Sequence, residues 1–503
     1  MKEFLNVSNL FFTYENNIEP IFSSISFQLQ TGWTGIVGAN GSGKTTLVKL
    51  ITGELSPVSG DITFQGTTCY CEQRADNVPP GHREFYQSTD RIVVRLKKSL
   101  QIEDDWPSRW DTLSYGERKR LQLAIALAKQ PAVLAIDEPT NHLDYSSKQF
   151  IIRSLKLFKA IGLLISHDRE LLDSLCSHTL FIFPPNIDLR RCNYSTAAEE
   201  IDREKHYQQF EYDKAKKKVK RLRKRVIQQR EKARKADKFK SKKNIHVKDH
   251  DQKAKMDLAR LTGKDRIEGD TQKRLSSRLE RAQKIQNTYK IKKTFEGGIS
   301  FPVNRVRINF PVFIPKGSIH LGNDKYVDFP ELVINRGEKT GIIGDNGAGK
   351  STFIRYILKK MPVPKDNLIY IPQEIDINES SFIIKRIQEY DNNTKGQIMT
   401  IIRRLGSDPF RVLETVMPSP GEVRKLLLAE GIMLNPGMII MDEPTNHMDV
   451  FSIQYIESAL RECPYTQLLV SHDFVFLKHT VSRYWEFQHC GKNRYRIIGR
   501  DDV

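Results

Sequence analysis

The chain has 503 residues, 39% of them hydrophobic, and 80 Lys and Arg against 61 Asp and Glu, a net charge of +19. That is room for two or three domains with cores of their own, and no apolar run approaches the ~18 residues of a membrane span. Six cysteines, at 69, 71, 176, 192, 463 and 490, form no C-x-x-C pair, and the N-terminus turns polar within a few residues, so zinc modules, disulfide frameworks and secretory leaders are not expected and a soluble, cytoplasmic protein is.

The first predicted strand, Thr34–Gly38, runs into the loop Gly38-Ala39-Asn40-Gly41-Ser42-Gly43-Lys44-Thr45, which opens a predicted helix over Lys44–Thr52. This is a G-x-x-x-x-G-K-[ST] loop in the strand-to-helix context it requires. Gly38, Gly41 and Gly43 let the backbone approach phosphates, Lys44 supplies a point charge, and the Thr45 hydroxyl suits Mg²⁺, so ATP and Mg²⁺ are the expected cofactors. A helix is predicted over Gly116–Lys129. The buried strand Val133–Ile136 then ends in Asp137 and Glu138. The first acid suits the metal, and the second suits orienting or deprotonating a water. A further strand, Gly162–Ile165, leads to Ser166-His167-Asp168. These three are adjacent in sequence and follow no G-x-S-x-G elbow, so they are not read as a hydrolase triad.

The middle of the chain has a different composition. Residues 199–295 hold 33 Lys and Arg against 15 Asp and Glu, a balance of +18, which leaves +1 for the rest. An excess of one sign points to a polyanion, nucleic acid before membrane. No proline lies between Pro185 and Pro302. Tyr212, Ala215, Val219, Leu222, Val226, Gln229, Ala233 and Ala236 alternate in steps of 3 and 4, which predicts a long helix with an apolar seam. Leu275, Leu279, Ala282 and Tyr289 predict a returning helix, with a hairpin tip near residues 237–261.

The last third repeats the first. Gly344-Asp345-Asn346-Gly347-Ala348-Gly349-Lys350-Ser351 matches the first loop, with Lys350 placed 306 residues after Lys44. Met438–Met441 ends in Asp442 and Glu443, and His472 matches His167, both at offsets of 305. The expected fold is therefore α/β: two P-loop ATPase domains, residues 1–198 and 296–503, joined by a basic helical hairpin over 199–295.

Several strings carry a family resemblance. Leu113-Ser114-Tyr115-Gly116-Glu117 resembles the signature of ATP-binding cassette (ABC) proteins. Asp137-Glu138-Pro139-Thr140-Asn141-His142-Leu143-Asp144 and Asp442-Glu443-Pro444-Thr445-Asn446-His447-Met448-Asp449 are similar to the string of the ABC-F family, soluble tandem ATPases that act on ribosomes. The resemblance implies a head-to-tail sandwich inside one monomeric chain. In the Lys44 site it places Asn40, Thr45, Thr46, Gln73, Asp137, Glu138 and the switch His167 opposite Ser419 and Gly421. In the Lys350 site it places Gly344, Asn346, Gly347, Gly349, Ser351, Thr352, Gln373, Asp442, Glu443 and the switch His472 opposite Ser114 and Gly116. Mg²⁺ would be held by Thr45, Gln73 and Asp137, and by Ser351, Gln373 and Asp442. Tyr14 is the candidate adenine-stacking ring of the first copy, and His320 and Tyr326 are weaker candidates in the second. One departure stands out: the second signature reads Met417-Pro418-Ser419-Pro420-Gly421-Glu422. Its prolines remove N–H donors, and the site it completes is expected to turn over more slowly.

Four readings of the output follow: an antibiotic-resistance ABC-F factor, a housekeeping ABC-F translation factor, the ATPase of an importer, and a repair ATPase. The basic middle segment and the Asn-His-[Leu/Met]-Asp string disfavour an importer, and the lack of zinc modules or very long coiled coils disfavours repair. Lys44 to Ser114 spans 70 residues and Lys350 to Ser419 spans 69, so the first cassette carries no extra arm. This resembles the resistance branch, Lsa- and Vga-like. By that resemblance the protein enters the exit site of the 70S ribosome, its basic helices meet large-subunit rRNA and tRNA, and the tip dislodges lincosamide, pleuromutilin or streptogramin A drugs. Phe239, Lys243, Asn244 and His246 are the tip residues singled out.

Overall fold

In the computed structural model, residues 4–15, 19–141, 143–239, 264–289, 308–322, 324–361, 367–409, 412, 418–491 and 493–501 are described. The chain divides into two compact units, Met1–Ala197 together with Phe295–Val503, and Ala198–Thr294.

In the first copy, β1 (Phe4–Phe12), β2 (Phe22–Gln30) and β4 (Ser59–Thr63) form an antiparallel sheet in the order β2-β1-β4. A second sheet has the order β5-β6-β7-β3-β8-β9, from β3 (Gly32–Gly38), β5 (Thr68–Cys71), β6 (Val133–Asp137), β7 (Ile161–Ile165), β8 (Cys176–Phe183) and β9 (Asn186–Arg190). The predicted strands at 34–38, 133–136 and 162–165 are β3, β6 and β7. Central strands of a parallel sheet are covered on both faces, which is why β6 and β7 read as unbroken apolar runs. The Lys44–Thr52 helix sits between the sheets. Leu47 and Ile51 share one buried cluster with Leu5 and Phe22 of the first sheet and Ile36 and Leu163 of the second.

The second copy repeats the plan. β10 (Val312–Ile314) pairs with β13 (Leu332–Ile334). An eight-stranded sheet runs β11-β12-β19-β18-β14-β17-β16-β15. Its strands are β11 (Gly317–Gly322), β12 (Lys325–Phe329), β14 (Lys339–Gly344), β15 (Leu368–Ile371), β16 (Met438–Asp442), β17 (Thr466–Val470), β18 (Arg483–Gly491) and β19 (Arg494–Arg500). The structure is α/β with two domains built on one repeated plan, as expected.

A helix of 46 residues, Tyr194–Phe239, runs from the first unit into the other, which also holds one of 25 residues, Lys264–Thr288. The first starts earlier than the composition shift at Glu199 suggested. Its opening residues are tied into the first domain instead, where Tyr194 and Ala197 are buried. Along the seam, Ala215 and Val226 are buried and Tyr212, Val219, Leu222 and Gln229 are half-buried, while the Lys and Arg between them are exposed. Ala282 is buried on the second helix. The tip lies outside the described residues: Lys243, Asn244 and His246 are not described, and Phe239 is described only as the last residue of its helix. Among the described residues, no helix is long and apolar enough to cross a membrane.

Candidate functional site

Strand order assembles each site. β6, β7 and β3 are parallel neighbours, so their C-terminal ends bring Asp137 and Glu138, His167, and the 38–45 loop side by side. β16, β17 and β14 do the same for Asp442 and Glu443, His472, and the 344–351 loop. Ligands of open α/β sheets gather at this edge.

Lys44 Nζ donates to the carbonyls of Gly38 (2.9 Å) and Ala39 (3.1 Å), and Lys350 to those of Gly344 (2.7 Å) and Asp345 (3.0 Å). Thr45 Oγ1 donates to Asp137 Oδ2 at 2.8 Å, and Tyr70 donates its hydroxyl to the same oxygen at 3.2 Å. Ser351 makes the matching side-chain bond to Asp442. Glu138 and Glu443 hold φ of 44° and 51°. This is a strained region for a residue with a Cβ, kept by their N–H bonds to Ile165 and Val470, both 2.9 Å. The turn aims each carboxylate back at a histidine. The His167 N–H donates to Glu138 Oε2 and the His472 N–H to Glu443 Oε2, both at 3.3 Å. The Nε2 atoms lie 3.2 and 3.5 Å from the other carboxylate oxygens.

Burial dominates the electrostatics. It pushes Glu138 up to about 8, helped by Asp137. It pushes Glu443 up to about 8 as well, against the pull of Lys350 and with help from Asp442. It drives His167 and His472 down to about 3, with Lys44 and Lys350 adding to the effect. A carboxyl poised near 8 beside a neutral imidazole can exchange a proton with water near neutral pH.

The loops fit a polyphosphate. Gly41 and Gly347 have φ of 75°, Gly43 and Gly349 φ of 94°. A methyl group on Gly43 would lie 2.5 Å from Ile21 Cγ2, so side chains are excluded there twice, by conformation and by space. Among the described residues, Ser42 Oγ, Asp442 Oδ1, Glu138 Oε1 and Glu443 Oε1 are buried polar atoms with no hydrogen-bond partner. Unsatisfied oxygens beside the Thr45–Asp137 and Ser351–Asp442 pairs suit a hard cation, and Thr45, Asp137, Ser351 and Asp442 would hold Mg²⁺. Asn346, Gly347, Lys350, Ser351, Thr352, Gln373, Asp442, Glu443 and His472 line one cavity of about 340 Å³.

The two copies meet reciprocally through the acid that ends each repeated string. Asp449 Oδ2 accepts from the Asn40 N–H at 3.1 Å while its Oδ1 caps the following helix at the Ser452 N–H, 2.8 Å. Asn40 Nδ2 also donates to the His447 carbonyl, 3.1 Å. Asp144 accepts from the Asn346 N–H and caps its own helix at Ser147, 2.9 Å.

The remaining expected residues make local contacts. Among the described residues, Ser114 and Gly116 do not line the Lys350 cavity. Its first-copy face comes from Thr140, Asn141, Leu143, Lys148, His167 and Asp168. Ser114 is engaged in a capping box with Glu117, and a methyl on Gly116 would lie 2.9 Å from Leu143. Ser419 forms the same box with Glu422, and Gly421 abuts the His447 carbonyl. Pro420 occupies the first turn of its helix, where a missing N–H costs the helix nothing, so it does not deform the second signature. It removes one donor from that N-terminus. Tyr14 bonds Thr46 Oγ1 through its hydroxyl, 3.0 Å, and meets Phe12 edge-on. His320 and Tyr326 lean on each other at 4.9 Å.

Lys119 and Arg424 escaped the sequence reading. Lys119 donates to the carbonyls of Glu72 and of Gln73, the latter at 3.2 Å. Arg424 donates to those of Gln373 and Asn446. Both are fully buried, and burial lowers Lys119 to about 8. They tie the Gln73 and Gln373 loops to the signature helices. The available signal was their equivalence at the 305-residue offset.

The ABC transporter family model matches residues 22–141 and 328–446. Along 96% of its length the chain is 29% identical to the ribosome protection protein VmlR of Bacillus subtilis, covering 86% of that protein. It is 26% identical to the erythromycin resistance ATP-binding protein MsrA of Staphylococcus epidermidis, over 90% of this chain and 91% of that one. It is 27% identical to the ATP-binding protein Uup of Buchnera aphidicola, over 97% and 81%. The fold is similar to that of an archaeal ribosome recycling factor crystallised with a ribosomal stalk protein, with TM-score 0.60, 18% identity, and coverage of 97% of this chain and 89% of that one. The chain thus carries two ABC transporter domains in tandem and is homologous along nearly its whole length to ABC-F proteins.

Proposed function

We propose that this protein is an ABC-F ATPase of the ribosome-protection type. It binds ATP with Mg²⁺ in two sites between its copies, hydrolyses it to ADP and phosphate, and uses the cycle to enter and leave the exit site of the bacterial ribosome. The observation that carries the reading is the reciprocal docking of Asp449 on Asn40 and of Asp144 on Asn346. It joins the two loops and the two strings into one clamp inside one chain. The +18 balance of residues 199–295 supports an rRNA and tRNA partner, because Lys and Arg set against phosphates release counterions on binding. The relatives named for ribosome protection and erythromycin resistance support the resistance role. Protection from lincosamides, pleuromutilins and streptogramin A, with the tip around residues 237–261 displacing the drug, is the finer form of the proposal.

The test is sedimentation of the Glu138→Gln/Glu443→Gln protein with 70S ribosomes in ATP, over a series of salt concentrations. Co-migration that weakens steeply with salt is expected, and none at low salt would remove ribosome binding from the proposal. In a coupled translation reaction, the wild-type protein should restore synthesis in the presence of at least one of the three drug classes. Ribosome binding without any restoration would favour the housekeeping role.

A further inference from the structure

The two switch histidines are followed by the same aspartate, but its cation comes from different places. In the first copy Asp168 Oδ2 pairs with Lys148 at 2.8 Å, within the same domain. Lys148 also pairs with Glu170 at 2.6 Å. In the second copy the positions equivalent to Lys148 and Glu170 are Ile453 and Val475, so the local pair has no counterpart. Asp473 instead faces Arg169 of the first copy, whose Nη2 lies 3.7 Å from Asp473 Oδ2 and 2.8 Å from Glu457 Oε2. The asymmetry extends further. The position equivalent to Arg169 is Phe474, which packs edge-on against Tyr145 of the first copy at 5.1 Å, and the position equivalent to Glu457 is Ile152.

Asp473 is a poor residue to leave unpaired. Its other oxygen caps the helix Phe474–Thr480 through the Phe476 N–H at 2.9 Å, and its own N–H donates to Ser471 Oγ at 3.1 Å. These bonds fix the turn from which His472 reaches Lys350 Nζ at 3.1 Å and Glu443 at 3.3 Å. Arg169 is buried, and Glu457 holds it from one side while accepting His479 on the other at 2.6 Å. Separating the copies would strip a buried guanidinium from two partly buried carboxylates and leave its charge uncompensated.

We propose that Arg169 is a positioning residue acting in trans on the Lys350 site: it holds Asp473, and through it His472, only while the two copies are docked. Among the described residues, Asp168 of the Lys44 site takes its cation from Lys148 of the same copy instead. The inference rests on the reading of both sites as ATP-hydrolysing. Its consequence is that the Lys350 site loses its histidine geometry as soon as the clamp starts to open, whereas the Lys44 site keeps its own.

Two parents allow the test, Glu138→Gln, which leaves only the Lys350 site to hydrolyse, and Glu443→Gln, which leaves only the Lys44 site. Adding Arg169→Met should lower kcat about tenfold in the first parent with little change in KM, and less than twofold in the second. Arg169→Lys should recover part of the loss. Independently of turnover, the ring signal of His472 in ¹⁵N-histidine spectra should move in Arg169→Met and that of His167 should not. Thermal melts confirm that the variants fold. Equal losses in both parents, or a still His472 signal, would overturn the proposal and reduce Arg169 to a contact between the copies. No turnover in either parent or in the wild type would overturn the hydrolysis reading, and this inference with it.

Discussion

The Glu138→Gln/Glu443→Gln protein should hydrolyse ATP about 10²–10⁴-fold more slowly than the wild type, the range set by losing a positioned acid–base group, and should still bind it. Each carboxylate is fixed by a strained backbone, a bond from the histidine N–H and complete burial. Gln keeps the acceptor for that N–H and loses only the proton exchange. Steady-state phosphate release and equilibrium binding of a fluorescent ATP analogue measure the two quantities separately. Loss of binding in parallel with turnover would show that the carboxylates organise the loop rather than the water. The single substitutions carry a further expectation. Pro420 removes one N–H from the signature helix assigned to the Lys44 site, so Glu138→Gln should cost less of the total rate than Glu443→Gln. Equal costs would remove the argument from the irregular signature.

The same two residues should make stability fall with rising pH. Their folded pKa, about 8, lies above the ordinary value of 4.5, so the folded chain holds protons that the unfolded chain releases between those values. Stability from this source is fully present below about pH 4.5 and declines as pH climbs through about 8. His167 and His472 act in the other direction and elsewhere. Their folded pKa of about 3 lies below 6.5, so their contribution is present above pH 6.5 and is lost as pH falls from there towards 3. Measured without added nucleotide, the double Gln protein should therefore melt above the wild type by a margin that grows from pH 6 to pH 9, reaching several degrees. One pKa unit corresponds to about 1.4 kcal/mol at most per group. A margin that stays flat across that range would mean that both carboxyls are ionised throughout.

The sequence showed the repeated parts clearly, because the chemistry there allows few residue types. A phosphate loop needs its glycines, and a buried strand that ends in acids leaves a sharp hydropathy edge, so β3, β6 and β7 and the residues at their ends were legible. The helix over Lys44–Thr52 matched to the residue, since Gly43 and Gly53 punctuate it. What was not legible depends on contacts between distant residues. Lys119 and Arg424 look like surface charges until the fold buries them under the Gln73 and Gln373 carbonyls. Asp144 and Asp449 were visible as the ends of a string, yet nothing local says that they reach the loop of the other copy. The donor that Pro420 removes was legible, but not that it falls on the first turn of a helix, the one place where proline fits without cost.

The pairing of Arg169 with Glu457 also bears on how this gene could have diverged from a simple duplication. A chain built from two first halves would set an arginine against Ile152, leaving the guanidinium without its 2.8 Å carboxylate partner. A chain built from two second halves would set a glutamate at 457 against Phe474. Each half has accepted a residue that only the other half can tolerate. Neither half can therefore be exchanged for a copy of its neighbour without a compensating change across the seam.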